Sequence, residues 1–129
     1  MSTSARFNDG LSTFPGLDNT DRIRNNAFLQ PAYTSTIAIV PQTSYILVKP
    51  ATLTGAVTFT IGVGSTTTPP YVGDKVEFLL VSDGTTRTAT FGTGFTSTGT
   101  LAVTTAKYAS ISFMFNGTNW QEVGRVVTA

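Results

Sequence analysis

The chain contains neither cysteine nor histidine in its 129 residues. The absence of cysteine excludes disulfide bridges, thiolate metal sites and thiol catalysis. The absence of histidine removes the most common general base of enzymes and the most common protein ligand for metals. Serine and threonine hydroxyls therefore have no histidine to activate them as nucleophiles. We expect no catalytic residue, no cofactor and no metal ion, which favours a binding or structural role over an enzyme.

Charge is scarce and unevenly distributed. Eight basic residues face seven acidic ones, so the formal net charge is +1. We expect neither nucleic acid nor a membrane as a partner, because this balance generates no field that would attract them. Lys49 is the only charged residue between Asn25 and Gly73. Because monomer surfaces normally carry mixed charge, this segment predicts either an interface in a homo-oligomer or burial in the core of the domain itself.

Long apolar stretches are also missing. No run of 18 apolar residues occurs, and the opening residues MSTSARFNDG contain no apolar region of the kind found in signal peptides. The sequence therefore predicts neither a membrane span nor a signal peptide. Its length fits a single domain.

Threonine is abundant, with 25 residues spread through the whole chain. β-Branched residues suit pleated sheets, and in the stretch AVTFTIGV apolar and threonine side chains alternate, as in a strand with one buried face. Six to eight such stretches, separated by Gly, Pro or Asn-Gly, follow from Tyr33 onward. They predict an all-β domain over residues 33–129, in the form of a single antiparallel β-sandwich or a small, jelly-roll-like β-barrel.

The first 32 residues read differently and predict an extended N-terminal arm. Turn signals occur at Asn8-Asp9-Gly10 and at Pro15-Gly16, and the apolar residues follow neither a strand nor a sustained helix period. Asn19 or Thr20 could cap a short helical turn near Asn19 to Phe28. Three phenylalanines within 28 residues are too many for a free tail, so we expect the arm to be held by its own domain or by a neighbour.

The sequence FMFNGTNWQEV holds the only tryptophan. Asn116-Gly117 predicts a β-hairpin, since both residue types tolerate positive φ angles. A two-residue turn would pair Phe113 with Trp120, and a four-residue loop would pair Phe115 with Trp120. In both registers Trp120 shares a face with Phe113 and Phe115, which predicts a core residue rather than a platform for a ligand. The similar stretch LLVSDGTTRTATFG predicts a second hairpin around Gly84.

Two acidic residues precede or lie within the strand KVEFLLVS. Asp74 and Glu77 fall on opposite faces of an extended chain, so they cannot act as a catalytic carboxylate pair from this element. Lys75 and Glu77 share one face and are interpreted as a solvated pair.

The segment from Gly73 to Arg125 resembles structural proteins of tailed bacteriophages. The resemblance rests on the threonine- and glycine-rich strands, on the turn TFGTGF, and on the terminal hairpin in which an apolar run is followed by Asn-Gly-Thr-Asn-Trp and then an arginine. This pattern is similar to capsid decoration (cement) proteins, head fibres and tail-fibre tips. No part of the N-terminal third carries a matching motif.

The resemblance implies a non-enzymatic virion protein, usually a trimer of β-sandwich or barrel domains. Because no repeats of a fibre shaft are present and a phenylalanine-rich arm precedes the domain, a decoration protein on the exterior of the capsid fits better than a fibre tip. Its partner would be the major capsid protein, and it would be made in the host cytoplasm. The arm residues expected to contact the capsid are Arg6, Phe7, Leu11, Phe14, Leu17, Arg22, Ile23, Arg24 and Phe28.

The alternative is a receptor- or carbohydrate-binding module of a head or tail fibre. Its site would use aromatic side chains in or beside loops, for which Tyr71, Phe95 and Tyr108 are the candidates.

Overall fold

Alternating apolar and polar residues form β-strands along the chain. The computed structural model describes residues 26–63 and 70–128, and within these ranges it contains ten strands and no helix. The prediction of an all-β protein is therefore confirmed. The strands are β1 (Asn26–Leu29), β2 (Thr36–Ile39), β3 (Tyr45–Val48), β4 (Val57–Ile61), β5 (Lys75–Val81), β6 (Arg87–Phe91), β7 (Phe95–Thr96), β8 (Leu101–Val103), β9 (Tyr108–Phe115) and β10 (Trp120–Val127).

The strands form two mixed sheets. The larger has six strands in the order β1-β3-β5-β9-β10-β7, and the smaller has four in the order β2-β4-β6-β8. Five neighbouring pairs are parallel and only three, β5–β9, β9–β10 and β6–β8, are antiparallel. The expectation of antiparallel pairing throughout is therefore wrong, because an alternating strand buries the same face whichever way its neighbour runs.

The parallel pairs arise because the chain alternates between the sheets. Strands β1, β3 and β5 belong to the larger sheet, and β2, β4 and β6, which follow each of them, belong to the smaller one. Parallel neighbours need a crossover of about a dozen residues or more, which is usually a helix. Here a strand of the opposite sheet serves as that crossover. The chain then reverses through β9 and β10, which extend the larger sheet beyond β5 as an antiparallel meander.

Both sheets contribute their apolar faces to one hydrophobic cluster. At its centre the rings of Phe59 and Phe91, from the smaller sheet, lie 4.7 Å and 5.1 Å from the ring of Phe78 in β5. Each fully buried large apolar side chain contributes about 1.5–3 kcal/mol of transfer free energy, so this cluster is the main source of stability.

The described chain begins with β1, inside the segment assigned to the arm. Asn26–Leu29 pairs with Tyr45–Val48, and Ala27 and Leu29 pack against the core. Residues 26–28 are therefore extended rather than helical. Residues 1–25 lie outside the described ranges.

The stretch around Gly84 is not the second hairpin that the sequence predicts. Strands β5 and β6, on its two sides, lie in different sheets. The backbone N–H of Asp83 donates to the Leu53 carbonyl at 3.1 Å, and its carbonyl accepts from the Ala106 N–H at 3.0 Å. Because both backbone groups of Asp83 bond to distant segments, the chain crosses to the smaller sheet instead of folding back.

Candidate functional site

Most of the predicted capsid-contact residues lie outside the described ranges. These are Arg6, Phe7, Leu11, Phe14, Leu17, Arg22, Ile23 and Arg24. The exception is Phe28 in β1, whose side chain is 55% exposed while its neighbours Ala27 and Leu29 face the core. Phe28 is thus a large aromatic side chain presented on the outer side of an edge strand.

Trp120 lies in the core, with none of its side chain exposed. The hairpin adopts the four-residue loop, in which Trp120 pairs with Phe115 and their ring centroids lie 5.2 Å apart. The indole N–H donates to the Gly62 carbonyl at 3.0 Å, so the one polar group of this side chain is satisfied. Phe113 and Phe115 are buried on the same face.

The loop that connects β9 and β10 is closed by Asn116. Its side-chain Oδ1 accepts from the backbone N–H groups of Thr118 and Asn119, each at 2.9 Å. Gly117 adopts φ +101°, in the region that favours glycine. Asn116 and Gly117 therefore serve the turn itself.

The TFGTGF turn lies against β4 and the hairpin. Gly94 has φ +93°, and a Cβ there would collide with the Ile61 carbonyl oxygen. The Gly94 carbonyl accepts from the backbone N–H of Trp120 at 2.9 Å. The turn therefore requires glycine for close backbone approach as well as for its φ angle.

The three aromatic residues of the alternative site do not come together. Phe95 packs into the core cluster, with its ring 4.6 Å from that of Phe113. Tyr108 begins β9, whereas Tyr71 lies beside its last residue, since the Gly73 N–H donates to the Phe115 carbonyl. An eight-residue strand is roughly 24 Å long, so the two tyrosines occupy opposite ends of the domain.

Tyr71 belongs to a group of exposed apolar residues that the sequence analysis did not identify. Tyr71 is 74% exposed and Val72 is 73% exposed, and Val40 and Val63 are exposed as well. We call these four residues the loop-end cluster. A Cβ added at Gly62 would lie 3.7 Å from Pro41, and one added at Gly117 would lie 3.4 Å from Val72. The Trp120 indole, which follows the β9–β10 loop, donates to the Gly62 carbonyl, so the loops after β2, β4 and β9 lie at one end of the domain. The sequence Pro-Pro-Tyr-Val-Gly of residues 69–73 was the signal from which exposed apolar residues in this loop could have been predicted.

Glu77 has closer partners than Lys75. On the outer face of the larger sheet its carboxylate accepts from the Tyr45 hydroxyl at 2.6 Å and from the Ser112 hydroxyl at 2.8 Å. The hydrogen bond from Tyr45 is the main reason that the pKa of Glu77 is lowered, and the charge of Lys75 is a minor cause. The hydrogen bond to Glu77 also raises the pKa of Tyr45 to about 12. The three side chains connect β3, β5 and β9, and at neutral pH Glu77 is an ionised acceptor with both oxygens engaged.

Arg125 fastens the segment before β8 to β10. It donates to both carboxylate oxygens of Glu122, at 2.7 Å and 2.9 Å, and to the carbonyls of Gly99 and Thr100. Arg125, with further hydrogen bonds from Thr98, lowers the pKa of Glu122 to about 2. Arg125, the arginine that follows Trp120 in the pattern shared with phage structural proteins, therefore stabilises the fold.

The outer face of the smaller sheet is rich in threonine and carries no charge on β2, β4 or β8. Thr36, Thr58 and Thr90 lie side by side in one register row. Thr60 and Thr88 extend the same face along their strands. This surface is uncharged, with methyl and hydroxyl groups at regular spacing.

The described residues contain no group of three or more Asp and Glu side chains that could hold a metal ion. No helix long and apolar enough to cross a membrane occurs in residues 26–63 and 70–128. The surface of these ranges presents an anchored edge strand, an exposed loop-end cluster and an uncharged sheet face.

Fold and surfaces together define an all-β protein with two mixed sheets around one core. No protein-family model matches the chain, and no curated protein matches it.

Proposed function

We propose that this protein is a non-enzymatic structural protein of a tailed-bacteriophage virion. In this proposal it is a decoration protein that binds and stabilises the major capsid shell as a homotrimer, on the exterior of the capsid, after synthesis in the host cytoplasm. The two sheets pack face to face as a β-sandwich, and the residues before β1 form the arm. The proposal draws on the resemblance of residues 73–125 to phage structural proteins.

The observation that carries the proposal is the attachment of β1. Its backbone pairs with β3, the Leu29 carbonyl accepts from the Lys49 N–H at 2.9 Å, and Ala27 and Leu29 pack on the core. β1 therefore provides a fixed attachment point for the proposed arm. An arm that orders on a shell loses conformational entropy, and a fixed starting point reduces that loss.

The composition of the arm suits a long, shallow contact. Phe7, Leu11 and Phe14 offer large apolar side chains, and burying one such side chain contributes about 1.5–3 kcal/mol. Arg22 and Arg24 would meet acidic groups of the major capsid protein. Phe28, exposed beside the attachment point, would be the last contact before the domain.

Binding to undecorated capsid shells tests the proposal. We expect a full-length Phe7→Ala/Phe14→Ala variant to bind at least about tenfold more weakly for each anchor lost. A chain without residues 2–25 should not bind, while β1 stays intact. Tyr71→Ala, at the loop-end cluster, is the matched control and should bind like the wild type. Undiminished binding by the chain without residues 2–25 would exclude the arm as the anchor.

A receptor- or carbohydrate-binding module of a phage fibre is the second candidate, and the exposure of Tyr71 in the loop-end cluster favours it. An exposed aromatic ring in a loop suits stacking on a ligand, and the Asp74 carboxylate, which accepts from the Tyr71 backbone N–H at 2.9 Å, lies beside it. In this case Tyr71→Ala should abolish binding to host cells, and the arm variants should leave it unchanged. The two candidates thus predict opposite outcomes for the same pair of variants.

A further inference from the structure

Strand β2 lies at one edge of the smaller sheet, and half of its backbone groups point away from its partner β4. The Ser35 carbonyl accepts from the Thr58 N–H at 2.9 Å. In a parallel ladder bonding residues alternate, so Ile37 and Ile39 also bond to β4, whereas Thr36 and Ala38 direct their N–H and C=O groups outward. The Thr34 hydroxyl donates to the Thr36 carbonyl at 2.7 Å. Within the described ranges, no strand pairs with β2 on this side.

This edge lacks most of the features that prevent strand addition. Proteins protect open edges with charged side chains, proline, a bulge, a covering segment or a very short strand. The sequence of β2 is TIAI, which has four residues but no charge and no proline, and its register with β4 is regular. Ile37 and Ile39 are buried, so the strand is held firmly in the sheet with its outer edge available.

The opposite edge of the same sheet, β8, also contains no charge and no proline within the strand, although Arg125 donates to the Thr100 carbonyl directly before it. Its sequence is LAV, with Leu101 and Val103 buried and Ala102 exposed on the outer face. Pairing of β2 with β2 of another copy would leave β8 open. Head-to-tail pairing of β2 with β8 engages both edges in every copy, and such an interface forms a ring when the rotation between copies closes.

We propose that β2 is an intersubunit edge, to which a second copy of this chain adds its β8. The smaller sheets then continue from one copy to the next around a closed ring. The uncharged threonine face lies along this seam, so no charge is brought close to another across it. The inference rests on the homo-oligomer in the proposed function but not on capsid binding.

The absence of cysteine from the chain permits a direct test by disulfide cross-linking. Ala38 and Ala102 are both exposed on the outer face, and substitution of each by cysteine is mild. Within one copy they lie three strand spacings apart, about 14 Å, which is too far for a disulfide. In the proposed seam they lie on neighbouring strands, where paired Cβ atoms come within about 5.5 Å.

Oxidation of the Ala38→Cys/Ala102→Cys variant should therefore link copies covalently, in multiples of the 13.6 kDa chain, on a non-reducing denaturing gel. Each single variant should stay uncrosslinked. The matched control is Thr60→Cys/Ala102→Cys, since Thr60 lies on the same face in the interior strand β4 and should not link. Dimers from Ala38→Cys alone, or no links from the double variant, would overturn the pairing.

A second measurement does not depend on disulfide geometry. Ala38→Pro removes an N–H that faces away from β4, so it should raise the dissociation constant of the oligomer at least about tenfold. Ala38→Lys should act in the same direction by adding charge at the seam, and Ala38→Val should retain the wild-type mass. A wild-type mass of one chain, or a wild-type oligomer mass in both the proline and the lysine variants, would contradict the proposal.

Discussion

Asp83 and Asn116 each follow an apolar strand and precede a glycine and a threonine, yet the chain takes different paths after them. Locally they are alike, since Asp83 Oδ1 accepts from the Thr85 N–H and Asn116 Oδ1 accepts from the Thr118 N–H. After Asn116 the chain returns in the same sheet, whereas after Asp83 it crosses to the other sheet. The side-chain turn is therefore compatible with both outcomes.

The difference lies in what each connection bonds to next. The Asn116 N–H donates to the Asn119 carbonyl, so the loop closes on itself. The Asp83 backbone bonds to Leu53 and Ala106, and its carboxylate holds Arg87 through two hydrogen bonds at 3.0 Å and 2.9 Å. A connection whose backbone is held by distant segments cannot fold back as a hairpin.

The largest expected effect comes from removing the residue that docks the hairpin. Trp120→Ala should lower the free energy of unfolding by about 3–5 kcal/mol, because it leaves a large cavity and an unpaired Gly62 carbonyl. The measurement is chemical denaturation of the purified variant. Trp120→Phe, which retains most of the ring but loses the N–H, should be less destabilising. A loss below about 1 kcal/mol for the alanine variant would show that Trp120 does not anchor this region.

The two arginines that follow these connections should differ in importance. Arg125 bonds to Glu122, of which only 6% is exposed, and to two carbonyls, so Arg125→Ala should cost about 2 kcal/mol. Arg87 pairs with Asp83 at a more exposed position, so Arg87→Ala should lower the free energy of unfolding by less than Arg125→Ala does. Denaturation midpoints of the two variants check this, and equal losses would contradict it.

The two glycines provide a matched pair for the backbone. Gly117 has φ +101°, so Gly117→Ala should cost about 1 kcal/mol or slightly more. Gly84 has no positive φ and nothing within 4 Å of an added Cβ, so Gly84→Ala should be neutral or slightly stabilising. Thermal unfolding of both variants compares the backbone requirement of the hairpin loop with that of the crossover. A larger loss of stability for Gly84→Ala than for Gly117→Ala would contradict the expected order.

Lowering the pH should separate the contributions of Asp83 and Glu122 to the stability of the fold. Both Asp83 and Glu122 have a lowered pKa because of their arginine partners, and for Glu122 the folded value is about 2. Each therefore stabilises the fold above its ordinary pKa, and that stability is lost as pH falls towards the folded value. Between pH 5 and pH 2, roughly, Glu122→Gln should flatten the decline in unfolding free energy more than Asp83→Asn does. Denaturant midpoints measured across this range test the order, and a larger effect of Asp83→Asn would reverse it.

Much of the fold could be predicted from local pattern. Alternation in AVTFTIGV and KVEFLLVS located β4 and β5, and the single face shared by Phe113, Phe115 and Trp120 predicted their burial. The role of Glu77 was not predictable, because its partners Tyr45 and Ser112 lie 32 and 35 positions away in the chain. The sequence placed Phe95 in a loop because its strand, β7, has only two residues. Its packing against Phe113 depends on β10, which lies between β7 and β9 in the larger sheet.

The capsid-contact residues of the arm stay a prediction, since all but Phe28 precede the described chain. For the alternative site, the sequence could nominate Tyr71 but not group it with Val40, Val63 and Val72. Val40 follows β2, whereas Val63, Tyr71 and Val72 lie in the connection between β4 and β5, and only the packing of these strands brings the two loops to one end of the domain.

By itself the sequence determined that this is an all-β protein, where most strands run and that Trp120 is buried. These properties follow from the two-residue period of apolar side chains and from the turn chemistry of Asn-Gly, which act over a few residues. Tertiary structure alone decided that most neighbours are parallel, that Asp83 marks a crossover and that β2 ends its sheet among the strands of residues 26–63 and 70–128. A strand buries the same face beside a parallel or an antiparallel neighbour, so only the competition among distant segments selects between them.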